Sequence, residues 1–202
     1  MNLTILAASG RTGLELTRQA LQRGHTVTAI ARDPARIALP DSASLQKVAG
    51  DVEDPTTIST VIGPDSVVLS GLGTDHAGVL YAGAKAVVAA GAHRIIWLGT
   101  YGTGPSADAA GPAAALLVNL LGDRIADKAE ADNAVLAAGG TVFHAVFLTD
   151  EPEAPTRRTI GLQAGPPFDV RARISRASVA AAMLDEAETP RFPGVVALPV
   201  VE

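Results

Sequence analysis

Short apolar runs alternate with helix-forming segments along most of the 202-residue sequence. Six runs, most of them rich in β-branched residues, predict strands over residues 3–7, 26–31, 45–49, 66–70, 94–99 and 141–147, with 45–49 the weakest. Helices are predicted between them over residues 12–23, 55–62, 79–90 and 123–138, each followed by a glycine that favours the end of a helix. Such alternation is typical of an α/β fold, a doubly wound parallel sheet with helices on both faces.

The pattern changes after residue 147. Four prolines between residues 150 and 170 predict an irregular segment, which is followed by a helix over Arg176–Glu188 and a last strand over residues 195–198. We therefore expect a single domain over residues 1–202, in which residues 150–202 form a small irregular extension on the substrate side. Residues 101–112 predict a loop over the carboxyl ends of the strands, either a lid or a flexible surface connection.

The composition excludes several classes of function. The sequence holds no cysteine, which excludes structural disulfides, thiolate-bound metal and a cysteine nucleophile. Its four histidines are dispersed without metal-ligand spacing, so no metal is expected. A net charge of −5 argues against a nucleic-acid partner, and no apolar stretch approaches the roughly 20 residues that cross a bilayer. The amino terminus lacks signal-peptide features, so we expect a soluble cytoplasmic protein.

The strongest functional signal is the run LTILAASGRTG at residues 3–13, where a strand enters a tight turn and then a helix. A dinucleotide pyrophosphate approaches backbone N–H groups at a helix amino terminus, and a Cβ atom at Gly10 would block that approach. Gly13 lets the helix pack against the strand. Ala7 and Ala8 stand where such motifs have their first glycine, and we expect alanine there only at negative φ. The run predicts a Rossmann-like cofactor site that includes Ser9, Gly10, Arg11, Thr12 and Gly13.

Arg32 ends the second strand, 22 residues after Gly10. An acidic residue at this place binds the ribose 2′-hydroxyl of NADH, whereas arginine accommodates the 2′-phosphate of NADPH. Because Arg11 can approach the same end of the cofactor, two guanidinium groups favour NADP(H) over NAD(H). Because Asp33 is acidic and lies next to Arg32, NADH stays the alternative cofactor. The alternative without a cofactor role is that Arg32 is a solvated residue at the end of a strand.

Two further turns predict cofactor contacts. In the sequence Gly50-Asp51-Val52, Asp51 is placed to accept a hydrogen bond from the adenine amino group, or else to cap the helix that begins near Pro55. In the sequence Ser70-Gly71-Leu72-Gly73-Thr74, small residues let the nicotinamide ribose lie against the backbone. An ordinary strand-to-helix turn is the alternative. We include Val52, Leu72, Gly73 and Thr74 among the predicted cofactor contacts.

Together these turns resemble the atypical, NAD(P)H-binding branch of the short-chain dehydrogenase/reductase superfamily. They are most similar to the flavin reductase/biliverdin-IXβ reductase group and its NmrA-like relatives, and residues 173–180 are similar to the stretch that closes that fold. The resemblance covers nearly the whole chain and implies fold and cofactor more specifically than substrate. It also implies that Thr149, after the sixth strand, touches nicotinamide or substrate.

The catalytic residues depart from the wider superfamily, which uses Tyr-x-x-x-Lys on the helix after the fifth strand. Tyr81 and Lys85 match that spacing but precede the strand, so we interpret them as a decoy. On the expected helix Lys128 fits the lysine, while Arg124 stands in place of tyrosine. Thr100 matches the residue that orients substrate, and Tyr101 would supply a phenol if it turned inward. The alternative for Lys128 is a surface ion pair with Glu130 or Asp132.

These features favour an NADPH-dependent oxidoreductase that passes hydride to a conjugated small-molecule acceptor, such as a flavin, quinone or tetrapyrrole, while solvent delivers the proton. A non-catalytic NADP-binding redox sensor of the NmrA-like type is the second hypothesis, and an epimerase with tightly held NAD is a weaker third. The apolar residues 113–121 would wall the pocket, form a homodimer face or pack in their own domain. His144, inside a strand, is expected to be a hydrogen-bonded core residue.

Overall fold

The computed structural model describes residues 1–74 and 76–201. Its main sheet has eight strands in the order β3-β2-β1-β4-β5-β6-β10-β8, and β8 alone runs antiparallel to its neighbour. These strands are β1 Asn2–Leu6, β2 Thr26–Ala31, β3 Leu45–Ala49, β4 Val67–Ser70, β5 Arg94–Thr100, β6 Thr141–Ala145, β8 Arg157–Gly161 and β10 Val196–Val201. Two short strands, β7 Phe147–Thr149 and β9 Arg173–Ser175, form a separate parallel pair. The Rossmann-like α/β prediction is confirmed.

Helices cover both faces of the sheet, because successive strand residues point to opposite sides. In β4, Val67 and Leu69 belong to the core on one face of the sheet, which a pair of helices covers. Val68 belongs to the core on the opposite face. The helices on the first face are α1 Arg11–Gln22 and α7 Arg176–Glu188. The helices on the opposite face are α2 Pro55–Ser59, α3 Val79–Ala89 and α6 Arg124–Ala137. None of the helices within 1–74 and 76–201 is long and apolar enough to span a membrane.

Three sequence predictions about the second half were wrong. The strand expected over 141–147 is two strands, because the chain leaves the main sheet at Val146 and β7 pairs with β9. The segment 150–170 contains β8, which pairs with β10. The loop expected over 101–112 contains a 3-10 turn, Gly104–Ser106, and helix α4, Ala107–Ala110, followed by α5, Ala115–Leu121. Small residues allow these tight turns, and the Oγ of Ser106 accepts the N–H of Gly102 at 2.8 Å.

The carboxyl ends of the parallel strands meet at one edge of the sheet. The chain order reverses between β1 and β4, since β2 and β3 lie on one side of β1 while β4, β5 and β6 lie on the other. Open α/β sheets bind ligands in the crevice at this switch point. The turns after β1, β4, β5 and β6 therefore surround the candidate site.

Candidate functional site

The turn between β1 and α1 is closed by its own backbone. The N–H of Gly10 donates to the Ala7 carbonyl at 2.9 Å, and a Cβ atom on Gly13 would lie 2.1 Å from that same oxygen. Ala7 has a φ of 55°, so the expectation of negative φ was wrong: the turn needs the left-handed conformation, and alanine adopts it here. The first turn of α1 has neither a side-chain cap nor an acidic residue. Its N–H groups leave a partial positive charge at the crevice.

The turn after β4 completes this cradle. A Cβ atom on Gly71 would lie 3.0 Å from the backbone nitrogen of Gly13, so the two turns approach closely. Gly73, by contrast, is exposed and a Cβ atom there would meet nothing within 4 Å. Leu72 points into the core, because a Cβ atom on Gly83 would contact its Cδ2 at 2.8 Å. The cradle therefore presents backbone and open space rather than bulky side chains.

At the end of β3, Asp51 does not cap the following helix, so that structural alternative was wrong. Asp54 caps α2 instead, through a hydrogen bond from the N–H of Thr56 at 3.1 Å. The Oδ1 of Asp51 accepts the N–H of Glu53 at 3.0 Å, and Val52 is buried against α3. The adenine contact predicted for Asp51 stays a prediction.

The two arginines predicted for the 2′-phosphate have different surroundings. Arg32 is exposed at the end of β2, and the neighbouring Asp33 caps the 3-10 turn Pro34–Arg36 through the N–H of Ala35. Arg11 pairs with Asp150 at 2.8 Å, and Asp150 also pairs with Arg176 at 2.6 Å. This pairing directs Arg11 toward the chain after β7. Arg11 is thus paired with a carboxylate while Arg32 is exposed, and their joint action on a 2′-phosphate stays a prediction.

The same ion pairs set the charge state of Asp150. Although desolvation acts to raise the pKa of this carboxyl group, the hydrogen bonds and charges of Arg11 and Arg176 hold the pKa below its ordinary value. Asp150 therefore stays ionised near neutral pH and neutralises part of the positive charge at the mouth of the crevice. Arg11 and Asp150 are both largely exposed, so their pair is weak and open to exchange with a ligand anion.

The predicted acceptor residues lie together in one cavity of about 260 Å³. Thr100 and Tyr101 reach it from the end of β5, Lys128 from α6 and Thr74 from the turn after β4. Its apolar walls include residues that the sequence did not single out one by one: Leu117, Leu120, Leu121, Phe147 and Phe168. Three leucines of the run 113–121 thus wall the cavity, as one interpretation proposed, while Leu116 and Leu120 remain more than half exposed.

Tyr101 turns inward, but its hydroxyl is already engaged. The ring is 2% exposed, and the hydroxyl donates to the Pro166 carbonyl at 2.6 Å. Burial raises the pKa of Tyr101 above its ordinary value, so the phenol stays neutral. Thr100 lies beside it, and its backbone carbonyl accepts a hydrogen bond from the Oγ1 of Thr103 at 2.9 Å. Tyr101 therefore shapes the cavity wall in this structure instead of directing a proton into it.

Other helix residues have structural roles. Asp127 is buried and caps α3, accepting the N–H groups of Leu80 and Tyr81 at 3.1 and 2.9 Å. Lys85 lies over the Tyr81 ring, with Nζ 4.4 Å from its centroid. Neither Tyr81 nor Lys85 lines the 260 Å³ cavity, which fits their interpretation as a decoy.

A buried hydrogen-bonded chain lies behind the cavity. The Nδ1 of His144 contacts the Oγ of Ser106 at 2.6 Å, and its Nε2 contacts the Oδ2 of Asp132 at 2.9 Å. His144 is thus the hydrogen-bonded core residue that the sequence predicted. Ser106 and Asp132 carried no sequence signal, because their role depends on contacts between distant segments. All three side chains are buried, so this serine is not an accessible nucleophile.

Thr149 ends β7 and was predicted to contact the cofactor. Among the side chains that the structure describes, its Oγ1 is a buried polar atom that lacks a hydrogen-bond partner. Buried polar atoms are nearly always paired, so this unpaired oxygen calls for a ligand or an ordered water. Arg176 contributes a further cation to the cavity wall, a role that the sequence analysis did not predict for this residue of the closing stretch.

The fold and this edge of the sheet define a Rossmann-like dinucleotide-binding protein. A family model described as NAD(P)H-binding matches residues 7–190 of the chain. The chain therefore belongs to this NAD(P)H-binding family, which confirms the cofactor-binding family and the fold that the sequence resemblance implied.

Solved structures with the same fold cover nearly the whole chain. One is a short-chain dehydrogenase/reductase from Veillonella parvula DSM 2008 in complex with NADP, with a TM-score of 0.78 and 20% identity over 100% of this chain and 94% of that one. Another is ChuY, an anaerobillin reductase from Escherichia coli O157:H7, with a TM-score of 0.78, 18% identity and coverage of 99% and 97%. At these identities the likeness shows the fold alone.

A sequence relative is the protein YwnB of Bacillus subtilis (strain 168), which is 43% identical over 47 residues. That match covers 23% of this chain and 22% of the relative. It adds no assignment of activity.

Proposed function

We propose that the chain is an NADPH-dependent reductase for a conjugated small-molecule acceptor of the flavin, quinone or tetrapyrrole kind. One observation carries the proposal: Thr100, Tyr101 and Lys128 share a cavity with Thr74. That cavity opens at the carboxyl edge of the sheet, where the glycine cradle lies. A protein that only bound the cofactor would not need an apolar-walled space of about 260 Å³ beside it.

The residues of the cradle fit a dinucleotide. Backbone N–H groups at the start of α1 and the absence of side chains at Gly10 and Gly13 suit a pyrophosphate. The open space at Gly73 suits a ribose, and the unpaired Oγ1 of Thr149 suits a polar group of the nicotinamide half. When bound, a reduced nicotinamide supplies a hydride, which is two electrons and one hydrogen nucleus.

The chain's own residues then orient the acceptor and exclude water from it. The Thr100 hydroxyl can donate to an acceptor carbonyl, and the Lys128 ammonium group stabilises negative charge on that oxygen. The leucine and phenylalanine walls exclude water from the face of the acceptor. Since the Tyr101 hydroxyl donates to Pro166, the single proton that completes the two-electron reduction comes from solvent.

We further propose that NADPH is preferred through Arg32. The experiment is Arg32→Ala, for which we expect about a tenfold loss of NADPH affinity, since a charge-assisted contact contributes roughly 1.5 kcal/mol or more. Affinity for NADH should change little. Arg36→Ala, an exposed arginine four residues later, is the matched control. Equal losses for both cofactors would remove the 2′-phosphate assignment.

Activity is tested by following NADPH oxidation with FMN, riboflavin and quinones. We expect oxidation with at least one acceptor and about a tenfold lower kcat for Lys128→Met. Binding of NADPH without oxidation by any acceptor would support the second function, a redox sensor. The observation favouring the sensor is that Arg124, four residues before Lys128, replaces the superfamily's tyrosine.

We also propose cytoplasmic action on a small molecule, with neither nucleic acid nor membrane as a partner. The net charge of −5 supports this proposal. A homodimer stays a prediction, for which the exposed Leu116 and Leu120 on α5 are the candidate contact. Sedimentation velocity of the full chain tests it.

A further inference from the structure

A second cavity of about 280 Å³ lies next to the acceptor cavity. Tyr101 and Val146 line both of them, so these two residues form the wall between neighbouring cavities. The remaining walls of the second cavity come from His144, from residues 166–172 and from β10. A third cavity, of about 340 Å³, follows along β10 and shares Val146, Ala172 and Val200 with the second.

The lining of the second cavity offers few polar atoms to a ligand. Pro166, Pro167 and Pro199 have no backbone N–H to donate. The Tyr101 hydroxyl donates to the Pro166 carbonyl, and both ring nitrogens of His144 are bonded to Ser106 and Asp132. Asp169 is exposed, and its Oδ1 accepts the N–H of Arg171 at 2.8 Å. An occupant with several polar or charged groups would lose hydration there and gain few partners in return.

An aliphatic group meets no such penalty. An apolar protein cavity of about 150 Å³ already holds benzene, so a space of 280 Å³ is large enough for a chain of several carbons. The third cavity gives a longer chain room to continue toward the edge of the sheet. The long substituents of these other acceptors, the ribityl chain of a flavin and the propionates of a tetrapyrrole, are polar or charged, and they suit this lining poorly.

We propose that the second cavity binds an aliphatic tail of the acceptor, and that the acceptor is therefore a quinone carrying an alkyl or isoprenoid chain. The inference rests on the proposed function for the position of the quinone ring. The ring lies in the acceptor cavity, and the tail passes Tyr101 and Val146 into the second cavity. Tyr101 is then a specificity-determining residue whose hydrogen bond to Pro166 fixes the wall that the tail passes.

The test compares two quinones that differ only in the tail: 2,3-dimethoxy-5-methyl-1,4-benzoquinone and its 6-decyl derivative. Calorimetry on the full chain with NADP⁺ present measures binding of each without turnover. Each buried methylene tightens binding by about fourfold. We expect the decyl compound to bind at least 100-fold more tightly, and affinities within threefold of each other would overturn the proposal.

A cavity-filling variant separates a built site from general hydrophobic adhesion. Ala172→Phe places a ring in the space shared by the second and third cavities, and the ratio of the two affinities should fall at least tenfold. Ala109→Phe, on the exposed face of α4 and outside both linings, is the matched control and should keep the wild-type ratio. If circular dichroism shows that Ala172→Phe is misfolded, Val200→Phe replaces it. An unchanged ratio in a folded filling variant contradicts the tail site.

Oxidation of NADPH is followed separately, so the two proposals can fail independently. Tail-dependent binding that Ala172→Phe abolishes, without oxidation of NADPH by any acceptor, would support the tail site and contradict the reductase. Oxidation that is equally efficient with both quinones and with both variants would support the reductase and contradict the tail site.

Discussion

The two halves of the carboxyl edge are built differently. On the cofactor half, the turns after β1 and β4 act through backbone, because Gly10, Gly13 and Gly71 bring amides together where a side chain would not fit. On the acceptor half, side chains from α5, α6 and residues 146–176 meet in one cavity. The first half depends on contacts close in sequence and the second on contacts between distant segments. Substitutions should therefore affect the two halves in different ways.

The largest effect is expected behind the acceptor cavity, from His144→Leu. This change leaves the Asp132 carboxylate buried without its partner, and removing one member of a buried pair costs about 3–5 kcal/mol. Urea unfolding followed by circular dichroism measures the free energy of unfolding. His93→Leu, at an exposed position, is the control and should stay within about 0.5 kcal/mol of the wild type. A loss below about 1 kcal/mol for His144→Leu would show that the long-range contact contributes little.

The next effect is expected in the glycine cradle, from Gly13→Ala. The new Cβ atom would lie 2.1 Å from the Ala7 carbonyl oxygen, so β1 and α1 must move apart, which costs about 2 kcal/mol or more. NADPH affinity should fall with it, because the amides of the turn are displaced. Gly63→Ala has open space around its Cβ atom and is the matched control. Wild-type stability in Gly13→Ala would contradict the backbone description of this half.

Tyr101→Phe should have a smaller effect. The variant loses the hydrogen bond to the Pro166 carbonyl, which lowers the free energy of unfolding by about 1 kcal/mol. Because burial raises the pKa of this phenol, its ionisation does not contribute to the pH dependence of reduction below pH 9. We expect the pH profile of NADPH oxidation to keep its shape. A profile that loses one ionisation in Tyr101→Phe would make Tyr101 a proton donor after all.

The smallest effect is expected far from the site, where Asp185 on α7 pairs with Arg23 and Arg157. Burial acts to raise the pKa of Asp185, but the hydrogen bonds and charges of these two arginines hold the pKa below its ordinary value. The stability from this ionised group is complete above the ordinary pKa of about 3.9 and is lost as the pH falls through the lower folded value. Asp185→Asn should therefore lower stability by less than about 1 kcal/mol at pH 7 and not below pH 2.

The control for this pH dependence is Asp65→Asn, at an exposed position. It should leave the free energy of unfolding nearly unchanged at both pH values. A deficit of Asp185→Asn that persists undiminished at pH 2 would place the effect in packing rather than in charge.

The same difference explains how much the sequence could predict. Strands 26–31 and 45–49 match the structure to the residue, and the glycine turn lies where the pattern put it, because local periodicity and spacing determine them. Strand β8 was missed, since its partner β10 lies about 40 residues further on and prolines surround it. Likewise Ser106 and Asp132 have no local pattern, and only the packing of α6 against residues 101–110 brings them to His144.

The left-handed alanine in the first turn has a consequence for binding. An L-residue in this conformation costs roughly 1 kcal/mol of free energy. At Ala7 the folding of the chain supplies that free energy. The amides that follow are thereby immobilised before any ligand arrives, so association loses little conformational entropy at this place. We expect backbone ¹⁵N order parameters of residues 8–13 to be as high without cofactor as with it, as in a preorganised receptor.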